Sequence, residues 1–337
     1  MSLTMKNISF IVGMILLFLI LWGAGYLAGG PEGYTGFGES ADISPDDEEI
    51  TFVYAHKGES AIYTAPVSGG NAELVTKAAE GNYLMNPTFS PDGEAIAYVE
   101  QWEDDDEHPL GKLMLFNHAD GGVKELTDEK GLVTEAAFSP DGQSLYFSKA
   151  GVYTNYSPIA SENPHDFDIY RIDLNTKEIE QITDEGAYDM SDLDLTPDGE
   201  TLMYRSYDGA DQLVFHDLKD GSETTVTPIG DFATGVPMIY SPALSADGKY
   251  IAFSDVARTS ENGTYIYEGY RMPLDTKQAE QITSFGEHVT KPVFFNHQDK
   301  LIVTVDKAFA TSSEPDYSYW VVNADGEGRE RIQIEIP

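Results

Sequence analysis

The chain contains no cysteine. Disulfides, thiolate metal sites and cysteine nucleophiles are therefore excluded, whatever the redox compartment. Basic residues are scarce: 20 Lys+Arg stand against 58 Asp+Glu, a net charge of −38 over 337 residues. A surface of that sign repels phosphate backbones, so nucleic-acid binding is excluded. Only six arginines occur, too few for an arginine ring built to hold a carboxylate sugar. The seven histidines are scattered, with no H-x-x-x-H or H-x-H spacing that makes a local metal site. Neither a Gly-x-Ser-x-Gly nucleophile elbow nor a phosphate-cradling glycine loop is present.

Long apolar runs are absent too, with one exception. Ile8 to Ala28 is 21 residues without a charge. At helical rise it spans about 30 Å, the thickness of a bilayer core. Ile8, Leu16, Phe18 and Leu21 supply its apolar surface, and Trp22 and Tyr26 suit its interfacial end. The rival reading is a cleaved signal peptide, with Lys6 as a minimal basic region and Tyr26-Leu27-Ala28-Gly29 as a cleavage site. The run is longer than a usual signal core, which favours a retained anchor. Lys6 before the segment and acids after it put residues 1–7 in the cytoplasm and the body outside, on the periplasmic or extracellular side. Residues 29–40 are Gly-rich and read as a tether.

From residue 41 to 337 the chain repeats. Turn positions fall at Ser44, Ser90, Ser139, Thr196, Ser245 and Asn296, spaced by 46, 49, 57, 49 and 51 residues. The best-formed copy is Phe89 to Glu100, FSPDGEAIAYVE, which reads as strand, tight turn, strand. One residue before each turn position stand Ile43, Phe89, Phe138, Leu195, Leu244 and Phe295. Six after stand Ile50, Ile96, Leu145, Leu202, Ile251 and Ile302; eight after, Phe52, Tyr98, Phe147, Tyr204, Phe253 and Thr304. Thr304 alone breaks these apolar columns. Two further strands follow each hairpin, so each unit has four strands. Four-stranded units cannot bury both faces alone, and stacking them around an axis gives a propeller. The expected fold is all-β: a six-bladed β-propeller preceded by one transmembrane helix. Its blades are 41–77, 84–128, 132–185, 190–228, 238–284 and 289–337. The last strand, Arg331 to Ile336, is assigned to unit six, and no spare strand is left to interlock the two ends.

The turns and their columns resemble the TolB-like, WD-like β-propeller repeat, roughly P-x-F-S-P-D-G-x-x-I-A-F. The matching stretches are NPTFSPDGEAIAYVE (86–100), EAAFSPDGQSLYFSK (135–149), DLDLTPDGETLMYRS (192–206) and SPALSADGKYIAFSD (241–255). The resemblance implies the propeller fold. It also implies a binding protein of the periplasm or cell surface, or a propeller attached to a catalytic domain.

Serine and aspartate of the repeated turn read as turn formers, since one active site does not need six copies. Function is expected where copies differ. Insertions between the second and third strands, at 101–112, 150–168, 256–265 and 306–317, all emerge on one face, as do the links between units. That face carries Trp102, Asp104, Asp105, Asp106, Tyr153, Tyr156, His165, Asp166, Tyr188, Asp189 and Tyr317. Interleaved acids and aromatics suit a basic protein partner or sugar stacking. Asp104, Asp105 and Asp106 are the candidate Ca²⁺ ligands, though their run lacks the EF-hand order; no other cofactor is implied. The sequence thus favours a non-catalytic protein-binding or scaffold subunit of a membrane-surface assembly. The alternative is an extracellular carbohydrate-active lyase or hydrolase with its site at the central mouth.

Overall fold

A computed structural model describes residues 33–153, 163–207, 211–311 and 314–337. The expected anchor at 8–28 and Tyr156 lie outside the described residues. Among the described residues, no helix is long and apolar enough to cross a membrane.

The described secondary structure is all strand. Unit one comprises Gly36–Ile43, Glu49–His56, Glu59–Pro66 and Glu73–Lys77. Unit two comprises Tyr83–Phe89, Ala95–Glu103, Pro109–Asn117 and Gly122–Glu125; unit three, Leu132–Phe138, Ser144–Val152, His165–Asp173 and Ile179–Gln181. Unit four runs through Asp189–Leu195, Thr201–Tyr207, Asp211–Asp217 and Glu223–Val226. Unit five comprises Tyr240–Leu244, Tyr250–Thr259, Tyr265–Pro273 and Glu280–Gln281; unit six, His288–Phe294, Lys300–Asp306, Tyr317–Asn323 and Arg329–Arg331. Within each unit, consecutive strands pair antiparallel. The first strand of each unit lies against that of the next, and the first strand of unit six lies against that of unit one.

The turn residues do the local work expected of them. Ser90 Oγ donates to Asp92 Oδ1 (2.6 Å) and accepts from the Ala95 amide (2.9 Å), while Asp92 Oδ1 accepts from the Glu94 amide (3.0 Å). The same three contacts recur around Ser44, Ser139, Thr196 and Ser245. These side chains satisfy backbone groups at the hairpin tip.

Unit six departs from the expected register by one residue. In five units the turn residue's amide donates to the carbonyl five positions on; in unit six Phe295 makes that bond, to Lys300. Phe295, not Asn296, therefore occupies the turn position. Its flanking column residues become Phe294, Leu301 and Val303, paired as in the other copies. The exception at Thr304 disappears, and all three columns are wholly apolar. The signal was hidden because a buried phenylalanine replaces the serine, leaving no polar residue to mark the turn.

Ile50, Ile96, Leu145, Leu202, Ile251 and Leu301 are fully buried. Each contributes about 2–3 kcal/mol of apolar transfer. Among the described residues the core forms six clusters, each at the seam between neighbouring units. The seam of units six and one joins Ile43 and Phe52 to Phe295, Tyr319 and Ile332.

Two expectations about the ends change. The first strand begins at Gly36, inside the stretch expected to be tether. Phe37 holds it there, packing edge-on against Phe52, Tyr54 and Tyr319. The last strand also divides. Arg329–Arg331 pairs within unit six, whereas Ile334–Glu335 crosses to pair in parallel with Gly70–Asn71 of unit one. Ile332 enters the seam cluster with Ile334 and Ile336 packed against it, so the tail does interlock the two ends.

Candidate functional site at the axial mouth

Every first strand carries a register shift before its turn, at matching positions in units two, four, five and six, spread over 37–41 in unit one and set one residue earlier, at Thr134, in unit three. A bulge leaves one residue unpaired and turns its side chain out of the ladder. Asn86, Asp192, Ser241 and Lys291 adopt positive φ there. With Ser40, and with Glu135, which stays paired to Ser148 just past its strand's shift, they are the residues four positions before each turn residue once unit six is realigned. All six are polar or charged.

Their contacts run around the ring from unit to unit. Ser40 Oγ donates to Asn86 Oδ1 (2.6 Å), and Asn86 Nδ2 donates to the Thr134 carbonyl (2.8 Å). The Leu193 amide donates to Glu135 Oε1 (3.2 Å). Lys291 Nζ reaches across from unit six to Asp192 of unit four (2.9 Å). Thr290 Oγ1 lies 3.3 Å from Ser241 Oγ and donates to Glu39 Oε1 of unit one (3.2 Å). Arg205, on the second strand of unit four, holds three carboxylates: Asp189 (3.2 Å), Asp192 (3.2 Å) and Asp211 (2.6 Å).

Electrostatics sort these groups. Burial pushes the Glu135 carboxyl up to about 7; the charge of Asp192 adds to this and Lys291 opposes it. Burial also raises Asp189, against the pull of Arg205. For Asp192 burial works the same way, but Lys291 and Arg205 together outweigh it and hold the carboxyl below its ordinary range. Lys291 is itself held above its ordinary value: burial opposes this, and Asp192, Glu135 and Glu39 overcome it. Five carboxyl groups (Glu39, Glu135, Asp189, Asp192, Asp211) thus share two cations, and both cations are engaged.

An aromatic wall borders the cluster on the side of units five and six. Arg205 lies 5.8 Å over the Tyr240 ring. Tyr240 packs on Tyr267 (5.5 Å), Tyr267 on His288 (4.7 Å), and His288 stacks on Phe309 (3.9 Å), which is 46% exposed. Burial lowers His288 to about 4, so it is neutral at physiological pH. Because the starts of the first strands pair with the ends of the second, this mouth opens on the insertion face.

The residues expected from sequence are dispersed over that face. Asp189 belongs to the axial cluster, and Tyr317 lies close enough to feel the charge of Glu39, although burial is the main cause of its raised pKa. Asp104 caps its own turn, accepting from the Asp106 and His108 amides (both 2.9 Å) and meeting His108 Nδ1 at 3.3 Å. Tyr153 packs on the His108 ring at 5.5 Å. Lys112 Nζ sits 5.5 Å over the Trp102 ring. His165 Nδ1 meets Asp166 at 2.9 Å, and Tyr188 packs on Tyr207. Asp105 and Asp106 are exposed. Among the described residues, no three acidic or histidine side chains come together in a group able to hold a metal ion.

The axial residues Ser40, Asn86, Glu135, Asp192, Ser241, Lys291 and Arg205 were not expected. The available signal was positional. Each repeat holds a polar residue at one fixed offset from its turn, in a strand whose neighbours are mainly apolar.

No family model matches the chain. Among curated proteins it is 26% identical over 200 residues to dipeptidyl-peptidase 5 of Porphyromonas gingivalis, covering 56% of this chain and 27% of that protein. The matches to curated relatives span less than half the length of each. Among solved structures, TolB from Acinetobacter baumannii superposes with a TM-score of 0.60 at 22% identity, covering 86% of this chain and 66% of that one. An oligogalacturonate lyase from Vibrio parahaemolyticus superposes at 0.54 and 13% identity, covering 84% and 76%. The β-propeller domain of a Pyrococcus furiosus protease superposes at 0.52 and 12% identity, covering 89% and 83%. The chain therefore has a TolB-like, propeller-like all-β fold.

Proposed function

We propose that the chain is a six-bladed propeller of four-stranded blades, anchored by residues 8–28 in the cytoplasmic membrane and displayed on its outer side. It serves as a non-catalytic binding or scaffold subunit, and its partner is a protein that presents a basic group to the axial mouth. One observation carries this reading: among the described residues, Asp189, Asp192 and Asp211 already pair Arg205 and Lys291, and Glu39 and Glu135 add two further carboxyl groups near Lys291. The surplus is anionic, and partial burial strengthens its pull on an incoming cation. Phe309, exposed at the end of the aromatic wall, favours the same kind of group through its ring.

Pull-down of the full-length protein in gentle detergent tests this reading, with partners identified by mass spectrometry. Capture is expected to weaken with salt and to fall at least tenfold when Asp189 and Asp211 are both changed to Asn. Capture unchanged by that pair refutes the axial assignment. A monomeric, partner-free protein refutes the scaffold reading altogether.

A carbohydrate-active enzyme is the second reading. It is favoured by Glu135, whose carboxyl titrates near neutrality where units one, three, four and six converge. The likeness to an oligogalacturonate lyase points the same way. A polyuronate, however, needs free cations, and Arg205 and Lys291 are engaged by Asp189, Asp192 and Asp211. Turnover of neutral or acidic oligosaccharides that is lost in Glu135→Gln would establish the enzyme.

A further inference from the structure

We propose that Asn262 is an acceptor for N-linked glycan. Asn262-Gly263-Thr264 fits the acceptor pattern N-x-[ST] with x other than proline. It lies at the tip of the unit-five hairpin, between Tyr250–Thr259 and Tyr265–Pro273, on the insertion face. Asn262 and Gly263 are both exposed. Gly263 has φ +88, with open space where a Cβ would stand, so the tip is slender as well as accessible.

The turn also orients the amide. Ser260 and Thr264 close it from both directions: the Ser260 amide donates to the Thr264 carbonyl (2.8 Å), and the Thr264 amide donates to the Ser260 hydroxyl Oγ (2.9 Å). The Ser260 hydroxyl donates to Asn262 Oδ1, and the Thr264 amide reaches the same oxygen at 3.4 Å. These bonds take up Asn262 Oδ1 and leave Nδ2 outside the turn's hydrogen bonds, on an exposed residue. That nitrogen is the atom a glycan transfer requires.

Asn86-Pro87-Thr88 shows the opposite arrangement. Proline blocks the pattern, and both ends of the Asn86 amide are engaged at the axis by Ser40 and Thr134. Two other matches, Asn7-Ile8-Ser9 and Asn155-Tyr156-Ser157, lie outside the described residues.

The donor is a sugar carried on a polyprenyl phosphate or diphosphate. Asn262 Nδ2 forms a bond to the anomeric carbon and that carbon's bond to the phosphate oxygen breaks. The lipid phosphate leaves with the electron pair, and the amide loses one proton to base. The inference rests on the proposed display outside the cytoplasmic membrane, where such donors are used.

Trypsin isolates the site in one peptide, Thr259 to Arg271, whose single asparagine is Asn262. The full-length protein is purified from membranes of its own source organism and that peptide is sequenced by tandem mass spectrometry. In parallel, intact cells are treated with protease to report where the propeller lies. A sugar mass on Asn262 is expected, absent in Asn262→Gln and Thr264→Ala and retained in Thr264→Ser. The peptide found only unmodified, with the propeller cut in intact cells, overturns the inference and leaves the display standing. The peptide found only unmodified, with the propeller protected until lysis, overturns both.

Discussion

Asp47 of unit one accepts hydrogen bonds from the backbone amides of Asn296 (2.6 Å) and His297 (2.8 Å) of unit six, across 249 and 250 residues of chain. The Asn296 side chain returns to Asp47 (3.2 Å) and to the Ser44 carbonyl (3.1 Å). The two ends of the repeat array are therefore joined by polar bonds at the hairpin tips as well as by the apolar seam.

Asp47→Ala removes the acceptor for two backbone donors and places alanine at φ 63. A loss of about 3 kcal/mol is expected. Asp47→Asn, which tolerates that backbone and keeps an acceptor, should lose less than half as much. Urea unfolding followed by intrinsic fluorescence reads both values.

Gly69 sits under the crossing tail. It has φ +86, and a Cβ there would come within 2.7 Å of the Gln333 carbonyl. Gly69→Ala is expected to cost about 2 kcal/mol and to loosen the tail selectively. Hydrogen exchange should show the Gly70 amide, bonded to Gln333 O at 2.8 Å, losing protection before the amides of the fully buried strands. Uniform loss across all units would contradict a local latch.

The pH dependence of stability isolates Glu135. Its folded pKa, about 7, lies above the ordinary 4.5, so the folded state holds the proton more tightly than the unfolded chain does. The resulting stabilisation is complete below about pH 4.5 and is lost as pH rises through about 7. Glu135→Gln keeps an oxygen for the Leu193 amide and removes the titration. Relative to wild type, the variant should gain about 3 kcal/mol between pH 4.5 and 7. Parallel stability curves for the two proteins would refute the assignment.

Phe295→Ser restores the serine found at the turn position of four other units. It also empties a buried site between units six and one. The cavity is expected to dominate, with a net loss of about 3 kcal/mol in urea unfolding. A gain in stability would mean that the polar turn contacts outweigh the packing there.

The repeats were legible because their columns obey the two-residue period of a strand and carry large apolar side chains at fixed distances from a polar turn. Ile50, Ile96 and their counterparts announce themselves on both counts. Unit six resisted because Phe295 trades the polar marker for a core contact, which moved the reading by one residue. The crossing tail resisted for another reason: Ile332, Ile334 and Ile336 alternate as any strand does, and nothing in that alternation names the partner. The axial residues were least legible. Ser40, Asn86, Glu135, Asp192, Ser241 and Lys291 differ in size and charge, and they share only polarity and an offset of four residues from the turn, an offset that holds in unit six once Phe295 is taken as its turn residue. The insertions drew attention through length and composition, yet only Asp189 of that expected set joins the axial ion pairs.

The bulge in each first strand has a consequence for how such a ring can diversify. In five of the six units it lifts the axial side chain out of the alternation that fills the seams. The residue facing the centre is thereby freed from the volume and polarity limits that bind its neighbours two positions away. Five such addresses, spaced around one opening, can change together with their charge partners while the fully buried isoleucines and leucines stay fixed. Charge, hydrogen-bonding capacity and titration range at the centre then vary as a linked set, against a frame that need not change to accommodate them.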